Sequence, residues 1–131
     1  MAAYEIEIIL NRQLAECLSI PVFITDTSGN LIFYNEPAED LLGKSFNETG
    51  EVPVEVWSTI FEPMDESSNR IPPEDLPLVR TLKECYPYHK TFWIKSLRGQ
   101  IEKISLTSYP IIARENKFLG AVAIFWKAKD E

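Results

Sequence analysis

Cysteine and histidine are scarce in this 131-residue chain, which holds two cysteines, Cys17 and Cys85, and one histidine, His89. Without a Cys-x-x-Cys pair and with a single imidazole, the sequence lacks the ligands of a Cys/His zinc site and the parts of a histidine-dependent catalytic triad. We expect both thiols to be buried as small apolar side chains, because free cysteine is among the most buried residue types.

Long apolar runs and an excess of basic residues are also missing. No stretch reaches the ~20 apolar residues that span a bilayer, and the first residues lack the basic start of a signal peptide. Thirteen basic residues against 20 acidic ones give a formal net charge of −7, and this field repels phosphate backbones and anionic lipid headgroups. The sequence therefore predicts a cytoplasmic protein that binds neither nucleic acid nor a membrane.

The overall composition is that of one soluble domain, with 45% hydrophobic and 25% charged residues in a chain of ordinary single-domain length. Acidic residues cluster between positions 62 and 75, but their spacing fits no calcium loop. We interpret this segment as a solvated loop and predict no metal site.

An amphipathic helix is predicted over residues 5–18, since apolar residues recur there at spacings of three and four. This face comprises Ile6, Ile9, Leu10, Leu14, Cys17 and Leu18. Ile8 falls outside the face, where it is either a harmless exposed side chain or part of a second contact.

A tight β-hairpin is predicted over residues 20–35, because β-forming runs flank turn residues. In the turn, Asp26 is expected to accept bonds from backbone donors, and Gly29 or Asn30 to take a positive φ. Asn35 then stands at the N-cap of a short helix that ends at Gly43.

Prolines restrict residues 44–75 to short helices, one of them at 54–61, and Asp75 is expected to cap a further helix from Leu76 to about Cys85. The last third predicts three strands, at about 87–97, 100–112 and 117–127. The last strand is apolar on both faces, which predicts the centre of the sheet with the N-terminal helix across its back. The order gives an α+β domain with five antiparallel strands.

Residues 20–43 resemble the opening of a PAS domain, in which an Asp-x-x-Gly hairpin leads to an Asn-x-x-(Ala/Ser) helix start and a closing Leu-Gly. These motifs stand here as Asp26–Gly29, Asn35–Ala38 and Leu42–Gly43. Leu76–Lys83 is similar to the Pro-Leu-x-Arg-x-Leu helix of many bacterial PAS domains. In the closing strands, Tyr109-Pro110-Ile111 and Leu119-Gly120-Ala121-Val122 also match.

The resemblance implies the PAS fold, a five-stranded antiparallel sheet that cups short helices around a pocket, here over residues 19–131 with residues 1–18 as a flanking helix. It implies a non-catalytic sensory or regulatory module of a signal-transduction protein, such as a two-component system. The implied partners are a second copy and an effector domain or protein such as a histidine kinase, cyclase or transcription regulator. The sequence stops just after the last strand, which favours a domain excised from a longer protein over the alternative, a freestanding module that acts on a separate partner.

No cofactor is identified from the resemblance. The Asn-Cys-Arg-Phe-Leu-Gln helix of flavin-binding light sensors is missing, and the helix before the third strand holds no histidine like that of haem-binding members. His89 is expected on the next strand as a surface or satisfied side chain. An unknown small molecule is the expected ligand, if one binds.

Thirteen apolar side chains are the candidate pocket lining, and they favour an apolar or aromatic ligand. They are Ile24, Phe33, Leu42, Trp57, Ile60, Phe61, Val79, Leu82, Phe92, Ile104, Leu106, Val122 and Ile124. The alternative is that they fill the core of a purely structural dimerisation or docking domain. A remote alternative is a small enzyme that uses Asp26 as a base.

The candidate dimer contact is the start of the N-terminal helix, because such helices mediate dimers in the family that the chain resembles. Its residues are Ile6, Ile8, Ile9 and Leu10.

Overall fold

The structure is a computed structural model that describes residues 6–42, 50, 52–53, 62–95 and 99–128. Its helices are α1 (Ile6–Cys17), α2 (Glu36–Leu42) and α3 (Pro77–Glu84). Its strands are β1 (Val22–Thr25), β2 (Leu31–Tyr34), β3 (Tyr88–Lys95), β4 (Ile101–Ala113) and β5 (Lys117–Lys127). Two short 3-10 turns, Pro73–Asp75 and Arg114–Asn116, precede α3 and β5. The predicted helix at 54–61 lies outside the described residues.

The five strands form one antiparallel sheet in the order β2-β1-β5-β4-β3. β5 pairs with β1 on one side, with Val22 opposite Ile124, and with β4 on the other, with Leu106 opposite Phe125. This confirms the α+β class and the central position of the last strand, which its two apolar faces predicted.

The β1–β2 hairpin is closed by the side chain of Asp26, as predicted. Its Oδ1 accepts hydrogen bonds from the backbone amides of Ser28 and Asn30, at 3.0 and 2.9 Å. Gly29 has a φ of +89°, a conformation that costs glycine little because it has no Cβ. Residues of the turn therefore satisfy its backbone amides and hold β1 beside β2.

The predicted cap of α3 by Asp75 is wrong. Asp75 ends the 3-10 turn, and Leu76 occupies the N-cap position without a hydrogen bond from any described side chain. Because Pro77 is the first helical residue, Leu76 is held in an extended conformation, with φ −74° and ψ 138°. The helix consequently starts one residue later than a cap at Asp75 requires.

Two apolar clusters lie on opposite faces of the sheet, and we name them the inner and the outer cluster. The inner cluster lies under α3 and comprises Phe23, Leu31, Tyr34, Ala38, Ile71, Leu76, Leu78, Val79, Phe92, Ile94, Ile104, Leu106, Ala121, Ala123 and Phe125. The outer cluster lies under α1 and comprises Ile8, Ala15, Val22, Ile24, Ile32, Phe33, Ile111, Leu119 and Val122. The sheet is therefore covered on both faces, with different helices on each.

Helix α1 packs with a different face from the one that its periodicity predicted. Ile8 and Ala15 are buried, with 7% and 1% of their surface exposed. Between them, Asn11 accepts a hydrogen bond from the Tyr109 hydroxyl at 3.1 Å, and the Arg12 guanidinium lies 4.7 Å from the centre of the Phe33 ring. These positions follow i, i+3, i+4, i+7. The packed face is half polar, so the apolar pattern indicated the opposite, exposed face.

Candidate functional site

A cavity of about 60 Å³ lies between the inner face of the sheet, the start of α3 and Pro63. The described side chains that line it are all apolar. They are Phe23, Pro63, Leu76, Pro77, Leu78, Phe92, Ile94, Ile104, Leu106, Ala123 and Phe125. A lining of this kind suits small apolar molecules.

Strand alternation places the sheet's part of the cavity wall. Side chains two residues apart on a strand share a face, so Phe92 and Ile94 of β3 point inward together, as do Ala123 and Phe125 of β5. The Phe125 ring lies 4.9 Å from that of Phe23, measured between centroids. Ala123, fully buried on the central strand, presents only a methyl group and leaves room beside these rings.

Helix α3, which forms the other wall, is held to the sheet by a buried hydroxyl pair. Thr81 Oγ1 and Ser108 Oγ lie 2.6 Å apart, and both residues are fully buried. Because losing one partner leaves the other hydroxyl buried and unsatisfied, the pair fixes the position of α3 more firmly than apolar contact alone. The pair does not line the cavity, which therefore keeps its apolar character.

The structure places three of the predicted lining residues, Phe92, Ile104 and Leu106, in the cavity wall. Val79 and Leu82 of α3 pack in or against the inner cluster but do not line the cavity. Gly43, Trp57, Ile60 and Phe61, and the side chain of Leu42, lie outside the described part of the chain. Ligand contact remains a prediction for every one of these residues.

For Ile24, Phe33, Val122 and Ile124 the predicted cavity lining is wrong, since they lie in or against the outer cluster. Val122 and Ile124 belong to β5. Because both faces of β5 are apolar, the sequence pattern does not show which face lies toward the cavity. Phe33 is misplaced because β2 does not alternate strictly. Ile32 and Phe33 both join the outer cluster, where a register shift between Ile24 and Thr25 disturbs the pairing of β1 with β2.

Eight lining residues were not predicted. They are Phe23, Pro63, Leu76, Pro77, Leu78, Ile94, Ala123 and Phe125. Alternation from Phe92 identifies Ile94, and choosing the opposite face of β5 identifies Ala123 and Phe125. Pro63 and the turn before α3 carry no periodic signal, so the sequence pattern alone does not indicate them.

A second candidate site is the exposed apolar face of α1, which we name the α1 stripe. It consists of Ile6, Ile9, Leu10 and Leu14, whose exposed fractions are 61%, 42%, 55% and 53%. Ile8, predicted as part of a dimer contact, is instead buried against its own sheet. An intermolecular role for Ile8 is therefore corrected, whereas Ile6, Ile9 and Leu10 remain available.

The chemically reactive side chains lie away from the cavity. Cys17 and Cys85 are both exposed, contrary to the prediction of buried thiols, because each stands at the end of a helix. His89 is exposed on β3, where its Nδ1 lies 2.8 Å from Thr107 Oγ1. Within the described residues no group of His, Cys, Asp and Glu side chains is placed to hold a metal ion.

The shifted pKa values also belong to surface and outer-face groups. A hydrogen bond from the Tyr88 hydroxyl lowers the pKa of the exposed Glu84 carboxyl, and the same bond raises the pKa of Tyr88. Burial raises the pKa of Tyr109 on the outer face. None of these three residues lines the cavity, so the shifts do not indicate acid–base chemistry there.

The chain is thus an α+β domain whose antiparallel sheet holds an apolar cavity on one face and a helix on the other. A family model described as PAS domain matches residues 10–82, more than half of the chain. The chain belongs to the PAS domain family, which confirms the resemblance noted in the sequence.

Solved structures of PAS domains have the same fold. The PAS domain of Bordetella pertussis BvgS is 13% identical over 95% of this chain and 87% of the other, with a TM-score of 0.66. A PAS domain from Colwellia psychrerythraea is 16% identical over 92% and 96%, with a TM-score of 0.65. The LOV domain of the Erythrobacter litoralis EL346 blue-light activated histidine kinase is 17% identical over 86% and 99%, also with a TM-score of 0.65.

No curated protein sequence matches the chain. Among the described helices, none is long and apolar enough to cross a membrane. The fold is typical of sensory modules in signalling proteins, and PAS domains of this kind are generally non-catalytic.

Since LOV domains share this fold, the positions of the thiols decide whether the cavity fits a flavin that is bonded to a cysteine. The chain has two cysteines. Cys17 ends α1 on the outer side, and Cys85 follows α3 at the surface. Neither lines the cavity, so the chain offers no thiol there for a bond to a bound flavin ring. The described lining does not fit a thiol-dependent flavin sensor.

Proposed function

We propose that this chain is a non-catalytic sensory module that binds a small apolar or aromatic molecule in the inner-face cavity. Its output passes to an effector domain or partner, such as a histidine kinase, cyclase or transcription regulator. The observation that carries the proposal is the uniformly apolar described lining of the cavity. Such a lining offers a ligand burial of apolar surface and few polar partners, which selects apolar or aromatic molecules.

The position of Asp26 argues against the enzymatic alternative. Besides two backbone amides, its carboxylate accepts a hydrogen bond from the Asn30 side-chain amide at 3.1 Å. Three of the roughly four acceptor sites of the carboxylate are engaged within the hairpin turn, and Asp26 does not line the cavity, so its position does not suit a base for a molecule bound there. We therefore propose no catalytic role for it.

Toluene is a suitable first probe of the cavity, since it is apolar and aromatic. NMR spectra of the methyl groups, recorded during a toluene titration, are expected to show saturable shifts for Ile94, Ile104 and Leu106. The methyl groups of Ile24 and Val122 on the outer face are expected to shift much less. Native mass spectrometry of the protein as purified tests in parallel whether a natural ligand is retained.

Two neighbouring residues of β5 provide matched variants for this titration. Ala123→Val places two more methyl groups toward the cavity, whereas Val122→Ile adds one carbon on the outer face. Toluene binding is expected to weaken at least about tenfold in Ala123→Val, because a filled cavity leaves no room. Val122→Ile should leave the affinity within about twofold. Equal binding by both variants would place the toluene elsewhere and contradict the proposal.

We further propose that the α1 stripe forms a homodimer contact. Its four exposed apolar side chains lie on one helical face, opposite the face that packs on the sheet. Leu10→Glu with Leu14→Glu should convert a dimer into monomers in sedimentation equilibrium, because two charges per subunit then face apolar surface. Thr27→Glu with Ser28→Glu, which adds two charges at exposed positions of the β1–β2 turn, should leave the mass unchanged.

A monomeric wild-type protein would overturn the dimer but not the cavity proposal. A dimer that binds no toluene and retains no ligand would instead favour a structural docking domain with a filled core. The two measurements therefore separate the sensory from the structural interpretation.

A further inference from the structure

The side chain of Asn35 is the most extensively bonded polar group of the described core. It is 97% buried, with 3% of its surface exposed, between β2 and α2. Its Oδ1 accepts hydrogen bonds from the backbone amides of Val22, at 3.0 Å, and Ala38, at 3.2 Å. Its Nδ2 donates to the carbonyl oxygens of Ala15, at 2.8 Å, and Ile20, at 2.9 Å.

These four bonds use both hydrogens of the amide nitrogen and both lone pairs of the amide oxygen. The bond from Ala38 caps the start of α2, and Ala38 belongs to the inner cluster. The bond to Ala15 holds the last turn of α1, and Ala15 belongs to the outer cluster. One side chain therefore joins the layer that contains the cavity to the helix on the other side of the sheet.

A short chain of contacts leads from the cavity to this amide. Phe23 lines the cavity, and its ring meets the Tyr34 ring edge-on, with centroids 5.9 Å apart. Tyr34, 1% exposed, directly precedes Asn35 in the chain. A shift of Phe23 displaces Tyr34 and hence the backbone that carries Asn35, because close-packed interiors do not absorb such shifts freely.

We propose that Asn35 is a positioning residue that couples the inner-face cavity to α1, so that a change in cavity occupancy alters the order of the last turn of α1. Hydrogen bonds weaken steeply outside a narrow range of distance and angle, so a small displacement of the amide weakens its bond to Ala15. The proposal rests on the proposed ligand cavity for its biological meaning. Its physical content, a coupling between two layers, holds without a ligand.

The test therefore perturbs the cavity by mutation rather than by ligand. Leu106→Ala enlarges the cavity from its sheet side. Hydrogen exchange measured by NMR on the full chain then reports the local opening of the α1 amides from Ala15 to Cys17. In the wild-type background we expect Leu106→Ala to accelerate their exchange at least about fivefold, the lower end of ordinary coupling.

Asn35→Ser is the coupling variant, since serine can still cap α2 but cannot reach Ala15. In this background the α1 amides should exchange faster already, and Leu106→Ala should add less than about twofold, because the connection is cut. Asn11→Ala is the matched control. It removes another contact of α1 with the sheet, the half-buried hydrogen bond to Tyr109, and the fivefold effect of Leu106→Ala should persist in it.

Equal effects of Leu106→Ala in the Asn35→Ser and wild-type backgrounds would overturn the proposal, as would no effect in the wild type. If Asn35→Ser fails to fold, the NMR signals of the Asn35 side-chain amide protons are instead compared between the wild type and Leu106→Ala. Their NMR signals should shift in Leu106→Ala, and unchanged signals would overturn the proposal. Failure of toluene to bind would contradict the ligand cavity alone, so the two failures are distinguishable.

Discussion

On the outer face of the sheet, α1 brings Ile8 and Ala15 directly against strand residues such as Ile24 and Val122. On the inner face, α3 and Pro63 cover the sheet but leave a cavity of about 60 Å³ in front of Ala123. Both faces bury aliphatic and aromatic side chains, so hydrophobicity does not distinguish them. The difference lies in side-chain size on the central strand, where Ala123 borders the cavity and Val122 is packed in the outer cluster, and this leaves room for a ligand on the inner face.

The close pairing of β5 with β1, which both faces share, requires a glycine at Gly120. Its φ is +149°, and a Cβ built there would lie 2.1 Å from the carbonyl oxygen of Thr25. We expect Gly120→Ala to reduce the free energy of unfolding by about 4 kcal/mol or to prevent folding, because backbone of both β1 and β5 must move. Urea denaturation measures this loss.

Gly99→Ala is the control for Gly120→Ala. Gly99 also has a positive φ, +85°, but a Cβ there would meet nothing within 4 Å. Its cost is the backbone strain alone, about 1 kcal/mol. Equal losses in the two variants would mean that the close approach of Gly120 to Thr25 does not limit the packing of β5 on β1.

The same truncation on each face should sharpen the comparison. Ile24→Ala empties a fully buried site in the outer cluster, and we expect a loss of about 4 kcal/mol. Ile104→Ala removes a side chain that already borders the cavity, so it gives up fewer contacts and should cost about 2 kcal/mol. The measurement is urea denaturation of both variants under identical conditions. A larger loss for Ile104→Ala would show that the inner face is packed as closely as the outer one.

Sequence patterns predicted the elements of this fold well, because each element has a local physical cause. The Asp26 turn and the Asn35 cap both act within a few residues. Neighbouring residues in the sequence do not determine which residues of β5 face the cavity, because Val122 and Ala123 are both apolar. The side chains that cover each face of the sheet determine which of the two borders the cavity. The apolar pattern of α1 indicated the wrong face for a related reason, since Asn11 and the half-exposed Arg12 contact the sheet through Tyr109 and Phe33, partners that are remote in sequence.

The smallest predicted effect concerns the hydrogen bond between Tyr109, on the outer face of the sheet, and Asn11 of α1. Tyr109→Phe removes the hydrogen bond to Asn11 and should cost about 1 kcal/mol at pH 7. Burial raises the pKa of Tyr109 above its ordinary value of 10.0. The folded protein therefore holds this proton more tightly than the unfolded chain, and the wild type loses stability as the pH rises above 10. The difference between wild type and Tyr109→Phe should accordingly shrink between pH 10 and pH 11 in urea denaturation.

Asn11→Ala separates the two contributions of Tyr109. It removes the acceptor on α1 but keeps the buried phenol, so it should match Tyr109→Phe at pH 7 and yet retain the alkaline loss of the wild type. If both variants keep a constant difference from the wild type up to pH 11, burial does not hold the Tyr109 proton. The hydrogen bond from Tyr109 to Asn11 would then stabilise the packing of α1 on the outer face equally at every pH in this range, and the buried Thr81–Ser108 pair would be its polar counterpart for α3 on the inner face.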